Sequence, residues 1–199
     1  MTEPLNLLDP KHYEAVRRPA AEATPLPNWC YTSAGWYALE VERVFRKVWN
    51  YVGHESRITE PGDFFTVEIT GAPVIVIRGD DGEIRAFHNS CRHRGSRIAS
   101  GDGNCKALTC PYHTWTYGRD GALLATPLIE EDEHLLYADL GLLPVRLERW
   151  AGFVFVNFDD TAAPLLEWLG DLPETCKSYA PETLVCTRRK IYERVQANW

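Results

Sequence analysis

The chain has 199 residues, 45% of them hydrophobic and seven of them tryptophan, enough to pack one generous domain with extensions. A net charge of −7 and a pI near 5.4 deny it the basic footprint that a nucleic-acid binder needs. No apolar run approaches the roughly 18 residues that begin to suggest a membrane span, and the charged, proline-bearing start does not read as a signal peptide. The expectation is a cytoplasmic protein with no membrane and no nucleic-acid partner.

Residues 1–30 are rich in Pro, Ala and Glu and lack any period, which reads as an extended arm. Thr32-Ser33 offers a cap for a helix over 34–49, where Tyr37, Val41, Val44, Phe45 and Val48 fall at helical spacing and form a stripe expected to face the core. From Phe64 onward the period becomes that of strands. Phe65–Ile69 and Val74–Arg78 are split by Thr70-Gly71-Ala72-Pro73, and Asp80-Asp81-Gly82 turns the chain into Ile84–Phe87. Further short runs occupy 115–118, 122–124, 143–148 and 152–158, with Arg119-Asp120-Gly121 as another turn. Many short strands with Gly and Asp turns imply a mainly β fold, an antiparallel sandwich or barrel. The organisation expected is an arm and helix over 1–49, a β domain over 50–158, and a connector over 159–199 that leads into a further domain.

Two loops carry the chemistry. Cys91-Arg92-His93 is matched downstream by Cys110-Pro111-Tyr112-His113, so each loop offers one soft anionic sulfur and one neutral imidazole. A 2Fe-2S cluster of the Rieske type uses that mixture, with two thiolates on one iron and two imidazoles on the other. The ligands expected are therefore Cys91, His93, Cys110 and His113. A tetrahedral zinc ion takes the same residue types and remains the alternative, although zinc pairs usually run Cys-x-x-Cys and His-x-x-x-His rather than mixed within a loop.

Cys91-Arg92-His93-Arg94-Gly95 with Cys110-Pro111-Tyr112-His113-Thr114-Trp115 resembles the cluster signature of the Rieske non-heme iron oxygenases. The likeness extends to Pro27-Asn28-Trp29, the stretch from Trp49 to Gly53-His54, Pro61-Gly62-Asp63, Asp81-Gly82 with Ala86-Phe87, and Gly152 to Asn157. It covers essentially the whole chain and matches the amino-terminal part of the large subunit in ring-hydroxylating and demethylating systems. The resemblance implies a β domain with a cluster-binding hairpin subdomain. It also implies electrons arriving from a reductase or ferredoxin, and a mononuclear Fe(II) in a downstream catalytic domain that inserts oxygen into an organic substrate. The family often forms trimers. Glu193 to Trp199 resembles the start of that catalytic domain, and no catalytic residue is carried over onto this chain. A free-standing Rieske ferredoxin is the second reading.

The respiratory members of the wider group carry two further cysteines that form a disulfide, where this chain has Ser96 and Tyr112, and a cluster-bonding serine where it has Trp115. Fewer donors to the sulfurs imply a midpoint toward the low end of the Rieske range, roughly −150 mV. Thr114, where Gly or Ala is common, offers a hydroxyl toward the cluster or simply fills space, and space filling is the preferred reading because a hydroxyl on a loop usually finds backbone. Cys30, Cys105, Cys176 and Cys186 show no framework spacing, and His54 and His88 read as structural, while His12 and His134 carry no signal. Arg92, Arg94 and Arg97 crowd the first loop, suited either to favour the reduced state and steer an acidic donor or to pair with this chain's own carboxylates.

Overall fold

The computed structural model describes residues 6–127 and 137–192. Packing divides the chain into two units, one formed by residues up to Arg46 with the stretch from Lys190, the other by residues 47–189.

In the first unit, Ser33 caps helix α1 (Ala34–Glu40) by accepting the Trp36 N–H at 2.9 Å. A π turn over Val41–Phe45 follows and is closed by the Arg46 N–H on the Val41 carbonyl at 3.1 Å. The helix thus stops short of the expected residue 49. The expected stripe is not a core face either, because neither segment has a buried residue, and Tyr37 and Val44 are 45% and 44% exposed. The wider π turn explains part of this, since it shifts the phase of every side chain beyond Glu40 relative to a 3.6-residue repeat. Burial here goes instead to Trp29 and Cys30. Trp29 meets the Trp36 ring edge-on at 5.5 Å, with Tyr13 and His12 against its other sides.

The second unit is built on two antiparallel sheets. The larger contains β1 (Asn50–His54), β2 (Asp63–Ile69), β3 (Ala72–Arg78), β4 (Ile84–His88), β5 (Asp102–Asn104), β9 (Pro144–Trp150) and β10 (Phe153–Asn157), in the order β1-β10-β9-β4-β3-β2-β5. The smaller contains β6 (Leu108–Thr109), β7 (Thr116–Tyr117) and β8 (Leu123–Ala125) in sequence order. Short helices α2 (Leu165–Leu169) and α3 (Leu172–Cys176) follow, and α2 buries Leu165 and Leu169 with Trp49. The mainly β, antiparallel expectation holds. Strands β1, β5 and β6 were not among the expected runs.

Two hairpins owe their tightness to backbone conformations that favour glycine. Thr70-Gly71 joins β2 to β3 with φ of 49° and 82°, and Ala151-Gly152 joins β9 to β10 with φ of 49° and 82°. Two central residues with positive φ make a type I′ turn, whose twist matches that of the flanking strands. At Gly152 a second constraint applies, since a Cβ there would lie 2.4 Å from His54 Nε2.

Strand β3 is buried on both faces. Val74 and Val76 join Val52, Ile58, Phe65, Ala86, Val154 and Val156 on one side. Ile75 and Ile77 face the other, against Phe87, Trp115, Tyr117 and Leu142. All four are fully buried, and each such side chain is worth about 1.5–3 kcal/mol relative to exposure. The second cluster also contains Cys91 and Cys110, so the core that joins the two sheets is the floor on which both loops rest.

Candidate functional site

The second loop is the tip of the β6–β7 hairpin, where Thr109 pairs with Thr116 and residues 110–115 bridge them. The first loop leaves β4, but its far side continues to β5, which pairs with β2 rather than with β4. It is therefore not the tip of a hairpin. Asn89 closes it instead. This side chain is 1% exposed, accepts the N–H groups of Ile98 and Ala99 at 3.0 and 3.1 Å, and donates to the Ala99 carbonyl at 2.7 Å. Its own N–H bonds the Pro73 carbonyl on β3 at 2.9 Å. A buried, fully partnered amide of this kind fixes a loop where no ladder does.

Despite different cysteine–histidine spacings, the two loops share one hydrogen-bond scheme. In the first, the Gly95 N–H bonds the Cys91 carbonyl and the Cys91 N–H bonds the Ser96 carbonyl, both at 2.8 Å. In the second, the Thr114 N–H bonds the Cys110 carbonyl at 3.0 Å and the Cys110 N–H bonds the Trp115 carbonyl at 2.8 Å. Gly95 and Thr114 occupy the equivalent left-handed position, with φ of 71° and 59°. Glycine takes that conformation freely, whereas threonine is strained there. The Thr114 hydroxyl finds backbone, donating to the His113 carbonyl at 2.7 Å.

The four expected ligands come together. Cys91 and Cys110 are 4% and 2% exposed, while the two histidines keep partly exposed edges. Their rings lie 4.7 Å apart at 60°. Burial works against ionising Cys110, but the N–H groups of Tyr112 and His113, with the Cys91 thiol and the Ser96 hydroxyl, bring its pKa net below that of an ordinary thiol. Desolvation first, then His113 and Arg94, lower the pKa of His93 and favour the neutral imidazole. Both shifts run toward the protonation states that metal ligation requires. His93 Nδ1 is buried without a hydrogen-bond partner among the described residues, which leaves it available to a metal, a condition it shares with His54 Nε2 away from the two loops. Among the described residues no three His, Cys, Asp or Glu side chains surround one point that a single ion would occupy. A binuclear cluster instead asks for a thiolate pair and a separate imidazole pair, so the residues present fit it.

Tyr117 escaped the sequence reading. It is fully buried on β7, accepts the Arg92 N–H at 3.0 Å, and so has its own hydrogen free for Cys91 Sγ at 3.2 Å. Burial foremost, and the Cys91 bond after it, raise its pKa, so it stays a phenol and a donor. Of the three arginines, Arg97 is spent on Glu68 at 2.7 Å, whereas Arg92 and Arg94 are exposed and make no ion pair among the described residues. His54 is structural. Its Nδ1 takes the Ser56 N–H at 3.2 Å and its ring meets Phe153 edge-on. His88 packs its ring against Phe158. Cys105 lies at the margin of the loop core with its pKa raised, mainly by burial, and all six cysteines are free thiols. His134 and Glu193–Trp199 lie outside the described residues.

Residues 48–144 match the family described as the Rieske [2Fe-2S] domain. The chain is 34% identical to chloroplastic choline monooxygenase of Beta vulgaris, over 91% of this chain and 42% of that protein. It is 43% identical to the alpha subunit of benzene 1,2-dioxygenase of Pseudomonas putida, over 71% of this chain and 32% of that protein. The apo form of a quaternary ammonium Rieske monooxygenase superposes with a TM-score of 0.76 at 34% identity, covering 80% of this chain and 48% of that one. The chain thus spans less than half the length of these relatives. No described helix is long and apolar enough to cross a membrane.

Proposed function

Because the chain belongs to the Rieske oxygenase family, we propose that it holds a Rieske 2Fe-2S cluster on Cys91, His93, Cys110 and His113 and relays electrons within a terminal oxygenase. The cluster is the family's cofactor, and members carry a mononuclear iron in a catalytic domain to which no residue of this chain is assigned. When bound, it supplies a one-electron couple. Cys91 and Cys110 are the buried, anionic side of the site, and Tyr117 donates to the first of them. His93 and His113 present the partly exposed edge by which electrons enter and leave. Arg92 and Arg94 lend that edge positive charge in an otherwise acidic chain, which suits an acidic reductase or ferredoxin as donor. The whole protein would oxidise an organic small molecule by oxygen insertion, as a homo-oligomer, in the cytoplasm. Its relatives are oxygenases rather than carriers, which favours this reading over a free-standing ferredoxin.

The observation that carries the proposal is the convergence of two buried thiols and two adjoining imidazoles, one with a buried, unpartnered nitrogen. Iron, acid-labile sulfide and zinc per purified chain test it, with the visible spectrum taken before and after dithionite. Two irons and two sulfides with a bleachable colour are expected. One zinc without sulfide overturns the reading.

A further inference from the structure

The two ligand loops are closed by different means. The second is the tip of a ladder in which Leu108 pairs with Tyr117 and Thr109 with Thr116. The ends of the first belong to strands with other partners, β4 with β3 and β9, and β5 with β2, so no ladder of the described strands joins them. Its return stem is moored at the surface of β2. There the Gly101 N–H donates to the Thr66 hydroxyl and the Thr66 N–H to the Gly101 carbonyl, both at 2.9 Å, and Arg97 pairs with Glu68 at 2.7 Å. Asn89 works from the inside. Both lone pairs of its amide oxygen and one N–H are engaged by Ile98 and Ala99, while its backbone N–H is fixed to the Pro73 carbonyl on β3. Ile98 is itself buried in the apolar cluster that holds Cys91 and Cys110. Cys91 and His93 therefore lie on a segment whose two ends are tied together by one buried side chain and seated in the core.

We propose that Asn89 is a positioning residue for the cluster: it holds the first loop in its ligating shape whether or not the cluster is bound, so that Cys91 and His93 stand ready when iron and sulfide arrive. This rests on the cluster reading above. A loop of this length with no ladder would otherwise sample many conformations, and ordering it at the moment of ligation would be subtracted from the affinity for the metal. Order supplied beforehand by three buried hydrogen bonds removes that cost. The second loop draws its order from the β6–β7 ladder, so loss of Asn89 should loosen one thiol and one imidazole and leave the other pair as it was.

Hydrogen exchange read by mass spectrometry tests this in wild type, cluster-loaded and cluster-free, and in Asn89→Ala, with iron, sulfide and melting temperature measured on each. In wild type the Ile98 and Ala99 amides should be protected to the same degree with and without the cluster. Loss of that protection when the cluster is removed, alone or with the rest of the domain, overturns the proposal, because the metal and not Asn89 would then be holding the loop. In the cluster-free alanine variant, protection over 91–99 should fall at least about tenfold while 110–114 keeps the wild-type rate. The loaded variant should surrender iron to a chelator at least about tenfold faster than wild type, well below its melting temperature. A variant changed only in melting temperature, or one in which both loops loosen alike, marks a merely structural role and refutes the proposal. If the alanine variant does not fold, the wild-type comparison decides. A wild type that holds no iron and sulfide would strike the cluster reading itself, an outcome separate from the exchange at Ile98 and Ala99.

Discussion

Replacing Tyr117 by phenylalanine isolates one oxygen. The ring is fully buried, and its volume is kept, so packing against Ile75, Phe87 and Leu123 is retained. What is lost is the donor to Cys91 Sγ at 3.2 Å and the acceptor for the Arg92 N–H at 3.0 Å. Reduction puts more negative charge on the sulfurs, which strengthens a hydrogen bond donated to one of them. If the gain is about 0.5–1.5 kcal/mol, the net worth of a typical protein hydrogen bond, the midpoint falls by about 20–65 mV. The variant should also lose about 1–3 kcal/mol of stability through the orphaned Arg92 N–H. A spectroelectrochemical titration of both proteins, each verified to hold two irons, reads the first effect, and denaturant unfolding reads the second. A midpoint unchanged or raised would refute the reasoning. Tyr117 also bears on the low midpoint argued from Trp115, since it supplies a sulfur donor that the serine comparison leaves out.

Thr114→Gly should stabilise the folded chain by about 0.5–1 kcal/mol in denaturant unfolding, because relief of a left-handed β-branched residue exceeds the entropy cost of glycine. Gly152→Ala should destabilise by about 2–4 kcal/mol in the same assay, since the new Cβ meets His54 Nε2 in a turn that needs positive φ. The Thr161 hydroxyl first, then Lys47, hold the Asp159 pKa at about 2, against an ordinary 3.8. A depressed folded pKa adds stability above the unfolded value and loses it as pH falls through the folded one. Asp159→Asn should therefore flatten part of the stability loss between pH 3.8 and about 2, and an unchanged pH profile contradicts the assignment. Charge reversal of Arg92 and Arg94 together should slow reduction by an acidic donor protein several-fold at low salt, with the difference shrinking as salt rises. Stopped-flow rates that ignore both charge and salt would count against a steering role.

The four ligand candidates were legible because metal chemistry dictates residue type at short spacing, and two such loops on one chain leave few partners to choose from. The turn between β2 and β3 was legible from Gly71, although Ala72 and Pro73, read as part of it, belong to β3, whereas Ala151-Gly152 was not, because alanine gives no sign of the positive φ it adopts there. Strand β5 was not, because Asp102-Gly103-Asn104 has no strand propensity and exists through pairing with β2, aided by the bond from Asn104 to Asp63. Strand β6 is two residues long, too short for any period. Tyr117 and Asn89 act across 26 and 10 residues of chain, a relation that only the fold creates. Helix α1 was overextended because an apolar spacing continues past Glu40 where the backbone turns to π geometry.

The strand order of the large sheet carries a consequence for when the cluster can be assembled. Thr109 pairs with Thr116 across one short loop, whereas Asn50 must find Val156 on β10. Closure entropy grows with the length of chain enclosed, so local pairings form ahead of distant ones. During synthesis both ligand loops, and the tyrosine beneath them, have been made before β9 and β10 exist. Leu142, which helps to bury the two cysteines, also comes later in the chain. On the cluster reading, the two thiols would be brought near each other while still open to an iron donor, and the arrival of the last two strands would close that access.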